Sequence, residues 1–132
     1  MKNKILIIED NEQNMYLMTF LLENNGYEII QARNGKDGIR LAQEARPHVI
    51  LLDIQLPEIN GYQVAEELRK NKSLDNIPIV AVTSYAMTGD KERILASGAT
   101  GYIEKPINPD MFISQLQEYL PPSQSGKSGR IT

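Results

Sequence analysis

A doubly wound α/β fold, one parallel sheet covered on both faces by helices, is predicted by three features of the sequence. Three runs, Ile5-Leu6-Ile7-Ile8, Val49-Ile50-Leu51-Leu52 and Ile79-Val80-Ala81-Val82, are apolar throughout and rich in β-branched residues. They do not alternate apolar with polar, so both faces of each strand must be covered. Segments with helical spacing separate the strands, giving five strand–helix units in strict alternation with short connections.

Ile5 to Ile8 is the first strand. The helix after it carries Leu17, Phe20 and Leu21 on its expected apolar face, and Gly26 caps its end. Tyr27 to Ala32 is more polar and reads as a strand at a sheet edge. Asn34-Gly35 opens the second helix, with Ile39 and Ala42 inward. Val49 to Leu52 is the third strand, and Asn60 is placed to cap a helix bearing Gly61, Val64, Ala65 and Leu68. Ile79 to Val82 follows. The fourth helix, about Met87 to Ser97, offers little to bury and should be loosely held. Gly101 to Glu104 is a short fifth strand, and Phe112, Ile113, Leu116, Tyr119 and Leu120 form the stripe of the last helix. Residues 1–120 thus read as one domain, and 121–132, from Pro121-Pro122 onward, as a flexible tail without apolar periodicity.

The chain has 132 residues, enough for one core, with 41% hydrophobic and 23% charged residues, which excludes disorder and fibrous structure. A net charge of -3 leaves no basic footprint, so neither direct nucleic-acid binding nor an acidic membrane surface is expected. There is no cysteine, which removes disulfides and thiolate chemistry. Only four apolar residues separate Met1-Lys2-Asn3-Lys4 from Glu9-Asp10, too short a run for a signal peptide or membrane span, so a cytoplasmic location is expected.

In an open parallel sheet, ligand chemistry gathers at the carboxyl ends of the strands. Here those ends carry Glu9-Asp10, Asp53, Thr83-Ser84 and Lys105-Pro106. Three converging carboxylates repel one another and call for a cation. Oxygen donors without His or Cys favour Mg2+, which commonly takes one or two carboxylates together with waters and a phosphate oxygen. That outline is a phosphate-handling site. Asp53 is the candidate nucleophile, with Asp10 and Glu9 for the metal, Thr83 as a donor to a phosphoryl oxygen, and Lys105 as its counter-charge.

These same residues, Glu9-Asp10-Asn11, Asp53-Ile54-Gln55-Leu56-Pro57 with Gly61, Thr83-Ser84 and Lys105-Pro106, resemble the signature of receiver domains of two-component response regulators, in matching order from residue 4 to 120. The resemblance implies a flavodoxin-like, CheY-like (βα)5 fold of strand order 2-1-3-4-5. It also implies a phosphoacceptor, Asp53, charged by a histidine kinase or histidine phosphotransfer protein with Mg2+ as cofactor, Mn2+ being an acceptable substitute. The Gln55 backbone carbonyl would join the metal ligands, and Lys105-Pro106 would be cis. Thr83 would couple to Tyr102 as a switch, with the fourth helix and fifth strand as the output face for a downstream protein. Such a domain is no enzyme beyond its own phosphorylation and dephosphorylation, and is expected as a monomer or weak dimer.

Within the family, Glu9 to Met15 and Asp53 to Glu58 resemble stand-alone receivers of the DivK kind. Glu9, Asn60 and Ser84 stand where many members have Asp, Asp and Ala. Magnesium phosphohydrolases place a second Asp two residues after the nucleophile, and here that position is Gln55. His48 starts its strand at the end away from the site and is expected to be structural. Gly126-Lys127-Ser128 lacks the strand and the upstream glycine of a phosphate-binding loop.

Overall fold

In the computed structural model, residues 2–84 and 88–120 are described. The elements run β1 (Lys4–Ile8), α1 (Glu12–Glu23), β2 (Glu28–Ala32), α2 (Gly35–Ala45), β3 (Val49–Asp53), α3 (Gly61–Arg69), a 3-10 turn (Lys72–Leu74), β4 (Ile79–Thr83), α4 (Thr88–Ala96), β5 (Gly101–Glu104) and α5 (Phe112–Gln117). All strands are parallel and the sheet order is β2-β1-β3-β4-β5. β2 therefore lies at an edge, as its more polar sequence suggests. The tail expected over 121–132, and the start of the fourth helix expected at Met87, lie outside the described residues.

Successive side chains of a strand point to opposite faces, and the two halves of the core follow from that alternation. Ile5 and Ile7 join Val49, Leu51, Val80 and Val82 beneath α1 and α5, where Met15, Met18, Leu22, Phe112 and Leu116 complete the packing. Leu6 and Ile8 join Ile50, Leu52, Ile79 and Ala81 on the other face, closed by Ala42 of α2, Val64, Ala65 and Leu68 of α3, and Ile94 of α4. Gly38 is where α2 crosses β1, since a Cβ there would stand 2.4 Å from Ile8 Cδ1.

Two helical faces differ from the sequence reading. The buried side of α1 is Met15, Met18 and Leu22, whose spacing of three and four keeps them on one stripe. Leu17 and Leu21 flank that stripe, whereas Phe20 is 48% exposed and stacks on Tyr16 with ring centroids 6.1 Å apart. The flexible methionines fill the core instead of the aromatic ring. At the C-terminus, α5 ends at Gln117, so Tyr119 and Leu120 reach the core from turns that follow the helix.

Asparagine side chains set the starts of α1, α2 and α3: Asn11, Asn34 and Asn60 accept from the backbone N–H of Asn14, Asp37 and Gln63. At α3 the Gln63 side chain also accepts from the Asn60 N–H, completing a reciprocal capping box.

Candidate functional site

Each site residue is aimed by backbone geometry at a strand's carboxyl end. The Glu9 N–H donates to Ala32 O at 3.0 Å, continuing the β1–β2 ladder one residue beyond β1 and turning the Glu9 side chain inward. Glu9 is consequently 1% exposed, while Asp10, the next residue, is open to solvent. The Asn11 N–H donates to Glu9 Oε2 at 3.2 Å as the chain enters α1. Asp53 is the last residue of β3 and 2% exposed, and its Oδ1 accepts from the Gln55 N–H at 3.0 Å.

Above Asp53, α3 begins in near contact with the strand end. A Cβ on Gly61 would lie 2.5 Å from both Asp53 O and Ile54 Cα, so only glycine allows the helix to start there. On the other side, the Lys105 N–H donates to Thr83 O at 2.8 Å, extending the β4–β5 ladder past Glu104. The Lys105–Pro106 peptide is cis. The Lys105 ammonium lies 3.1 Å from Asp53 Oδ1 and 3.3 Å from Glu9 Oε1.

The charge balance of this cluster is negative. Glu9, Asp10 and Asp53 each offer a carboxylate oxygen within 4.8 Å of the others, and Lys105 is the one cation that pairs with them among the described residues. Burial pushes the Glu9 carboxyl up from 4.5 to about 7, and the neighbouring Asp53 adds to the rise; Lys105 and the Asn11 N–H pull the other way without cancelling it. Glu9 Oε1 is buried without a hydrogen-bond partner, because Lys105 approaches at ion-pair distance but not in hydrogen-bond geometry. A buried, unsatisfied carboxylate oxygen beside two more carboxylates fits a hard divalent cation, the class that oxygen-only donors favour over softer metals.

The structure brings Glu9, Asp10, Asp53 and Lys105 together, with Thr83 buried at the adjoining end of β4. Gln55 is exposed beside Asp53, held through its backbone N–H. Tyr102 stands one strand further out, opposite Ala81, half-buried against the α2–α3–α4 face with the Lys91 ammonium 5.4 Å above its ring. His48 lies at the far end of the sheet, where Nδ1 accepts from the Lys4 N–H at 2.9 Å. Two features escaped sequence reasoning. One is the Glu9–Lys105 ion pair across the site, because the sequence pattern assigned Lys105 to the phosphoryl group and not to Glu9. The other is Arg93, whose guanidinium lies 4.0 Å from the Tyr62 ring centroid. No local pattern announces that contact.

Comparison with known proteins agrees with this geometry. The family profile described as "Response regulator receiver domain" matches residues 5–117. The polar-differentiation response regulator DivK of Brucella anthropi is 48% identical over 120 residues, covering 91% of this chain and 98% of the relative. Among solved structures, the chemotaxis protein CheY4 of Vibrio cholerae superposes with a TM-score of 0.87 at 29% identity, covering 91% of this chain and all of that one. The receiver domain of the sensor histidine kinase PA1611 from Pseudomonas aeruginosa, solved with a magnesium ion coordinated in its active-site cleft, gives 0.83 at 31% identity, covering 90% and 98%.

Proposed function

The chain belongs to the response regulator receiver domain family, the phosphoacceptor switches of two-component signalling, and we propose that Asp53 is its phosphoacceptor, working with Glu9, Asp10, Thr83 and Lys105 in residues 1–120. The observation that carries this is the environment of one carboxylate. Asp53 is buried at a strand's carboxyl end with Lys105 Nζ 3.1 Å away and two more carboxylates within 4.8 Å.

An Asp53 carboxylate oxygen attacks the phosphorus of a phosphohistidine donor. The new O–P bond forms as the N–P bond breaks, and the imidazole leaves, taking up a proton. The product is an acyl phosphate on Asp53. Lys105, already within reach of Asp53 Oδ1, offsets the added negative charge, and the Thr83 hydroxyl donates to a phosphoryl oxygen. The Gln55 backbone N–H engages Asp53 Oδ1, as Lys105 does, which leaves the second oxygen for the donor.

Glu9, Asp10, Asp53 and the Gln55 carbonyl would hold Mg2+, with Mn2+ as a substitute. When bound, the cation would supply positive charge that offsets the clustered carboxylates and the added phosphoryl charge. The PA1611 receiver, which carries magnesium in its cleft, supports that assignment.

Phosphorylation adds roughly 1.5–2 negative charges, and Thr83 and Tyr102 relay the change to α4 and β5, the face offered to a downstream protein. The phosphoryl donor is a histidine kinase or phosphotransfer protein, and the domain turns over no other substrate. Among the described residues no helix is long and apolar enough to cross a membrane, and the cytoplasm is the compartment we assign.

Intact mass after incubation with acetyl phosphate tests the reading. One phosphoryl adduct that requires both Mg2+ and Asp53, absent in Asp53→Asn, is expected. An adduct of equal yield in Asp53→Asn would place the acceptor elsewhere.

A further inference from the structure

Among the described side chains, those of α4 anchor their helix least. Across Gly89–Ala96, Ile94 alone is buried, while Leu95 is 51% exposed. A helix with one buried apolar anchor among its described side chains can rotate or slide about that contact at small cost, so the side contacts decide where it rests. Two such contacts stand out, and both are cations over aromatic faces. The Lys91 ammonium lies 5.4 Å from the centroid of Tyr102 on β5, and the Arg93 guanidinium lies 4.0 Å from the centroid of Tyr62 on α3.

Their placement on the helix is what gives them leverage. At about 100° per residue, Ile94 lies about 60° from Lys91 and about 100° from Arg93, between the two. The arc of α4 that faces β5 and α3 therefore reads Lys91, Ile94, Arg93. Lys91 braces one flank against β5 and Arg93 braces the other against α3, with the single core anchor in the middle.

Both braces also end close to the site in sequence. Tyr62 follows Gly61, whose Cα sits against the Asp53 backbone. Tyr102 lies three residues before Lys105, whose ammonium pairs with Asp53. A displacement of either strand end or of the α3 start would load one brace, and release of a brace would free α4 from that side.

We propose that Lys91 and Arg93 are positioning residues that latch α4 from opposite flanks through the Tyr102 and Tyr62 rings, and that these latches set how readily the switch helix leaves its resting packing. The coupling of α4 to phosphorylation rests on the function proposed above; the latches themselves do not. A cation over an aromatic ring at an exposed site contributes about 0.5–1 kcal/mol, equivalent to about a two- to five-fold change in an opening equilibrium. The two latches contact different elements, so their effects multiply when independent.

Hydrogen exchange of the α4 backbone amides in the unphosphorylated protein reads the latches directly. Lys91→Met and Arg93→Met keep an apolar stem and remove the cation. Each is expected to speed α4 exchange about two- to five-fold, and the double variant about four- to twenty-five-fold, with α1 and α2 unchanged. Lys91→Arg and Arg93→Lys should restore wild-type exchange. Unchanged α4 exchange in the double variant would overturn the proposal, as would acceleration equal in all helices or a failure of both conservative variants to rescue.

Acetyl phosphate labelling of the same proteins separates this from the Asp53 assignment. Lys91→Met and Arg93→Met should gain the adduct faster than wild type. Wild-type protein that forms no adduct would count against the acceptor assignment while leaving the exchange result to decide the latches.

Discussion

Replacing Glu9 with glutamine removes a carboxyl whose ionisation the folded protein resists. Glu9 is 1% exposed, and burial together with the Asp53 charge pushes it from 4.5 to about 7. The folded state thus holds the Glu9 proton more tightly than the unfolded state. Between pH 4.5 and about 7 the folded chain binds more protons, so stability falls as pH rises through that window and the full loss is present above it. At about 1.4 kcal/mol per pH unit the loss is about 3 kcal/mol, and near-complete burial means little solvent screening reduces it.

Gln imitates the protonated acid in shape and cannot ionise, so Glu9→Gln should escape the loss. The assay is urea unfolding with a chelator present at pH 5 and pH 8, followed by circular dichroism because the chain has no Trp. At pH 5 the variant should be ahead by only about 1 kcal/mol. At pH 8 the variant should be more stable by about 3 kcal/mol, a midpoint higher by about 1–3 M urea for a domain of this size. Excess Mg2+ should recover stability for wild type at pH 8 and much less for the variant, since ligand that binds only the folded state stabilises it. Parallel pH profiles of wild type and variant would refute the reasoning, because the buried carboxylate would then carry no uncompensated charge.

Gly61→Ala should destabilise by about 1–3 kcal/mol by overpacking, since its Cβ would meet backbone atoms of Asp53 and Ile54 that have no side-chain freedom to yield; a urea midpoint equal to wild type would contradict this. Lys105→Met removes the cation 3.1 and 3.3 Å from the Asp53 and Glu9 carboxylates and should tighten Mg2+ binding several-fold by calorimetry, whereas weaker binding would show that Lys105 helps to hold the metal rather than competing with it. Met18→Ala should cost about 2–5 kcal/mol and Phe20→Ala under about 1 kcal/mol, because Met18 is buried and Phe20 is half exposed on α1; the reverse order in unfolding experiments would restore the face suggested by sequence. Asn60→Ala should cost about 1 kcal/mol through loss of the α3 capping box, measured the same way.

Strands and site were legible because their signals are strong and local. Apolar runs of four residues bounded by Asp, Lys and turn residues identify central strands, and the site residues fall at the strand ends. The resemblance carried by Glu9-Asp10, Asp53, Thr83 and Lys105-Pro106 added the strand order that composition does not give. Helical faces were less legible. In α1, Leu17, Phe20 and Leu21 satisfy helical spacing as well as Met15, Met18 and Leu22 do, and only packing against Ile5 and Ile7 selects the second set. The end of α5 was overrun because Tyr119, half-buried, and Leu120, buried, pack on the core yet lie in turns. The Glu9–Lys105 pair and the Arg93–Tyr62 contact join residues far apart in sequence, and nothing local records them.

The central claim is that the phosphoryl group resides on the Asp53 carboxylate, and reductive trapping reads that atom directly. Borohydride converts an aspartyl phosphate to homoserine, so protein treated with acetyl phosphate and Mg2+, then reduced and digested, should yield homoserine at position 53 and nowhere else. Homoserine at another aspartate, or a stable phosphoryl adduct with none at position 53, would contradict the account.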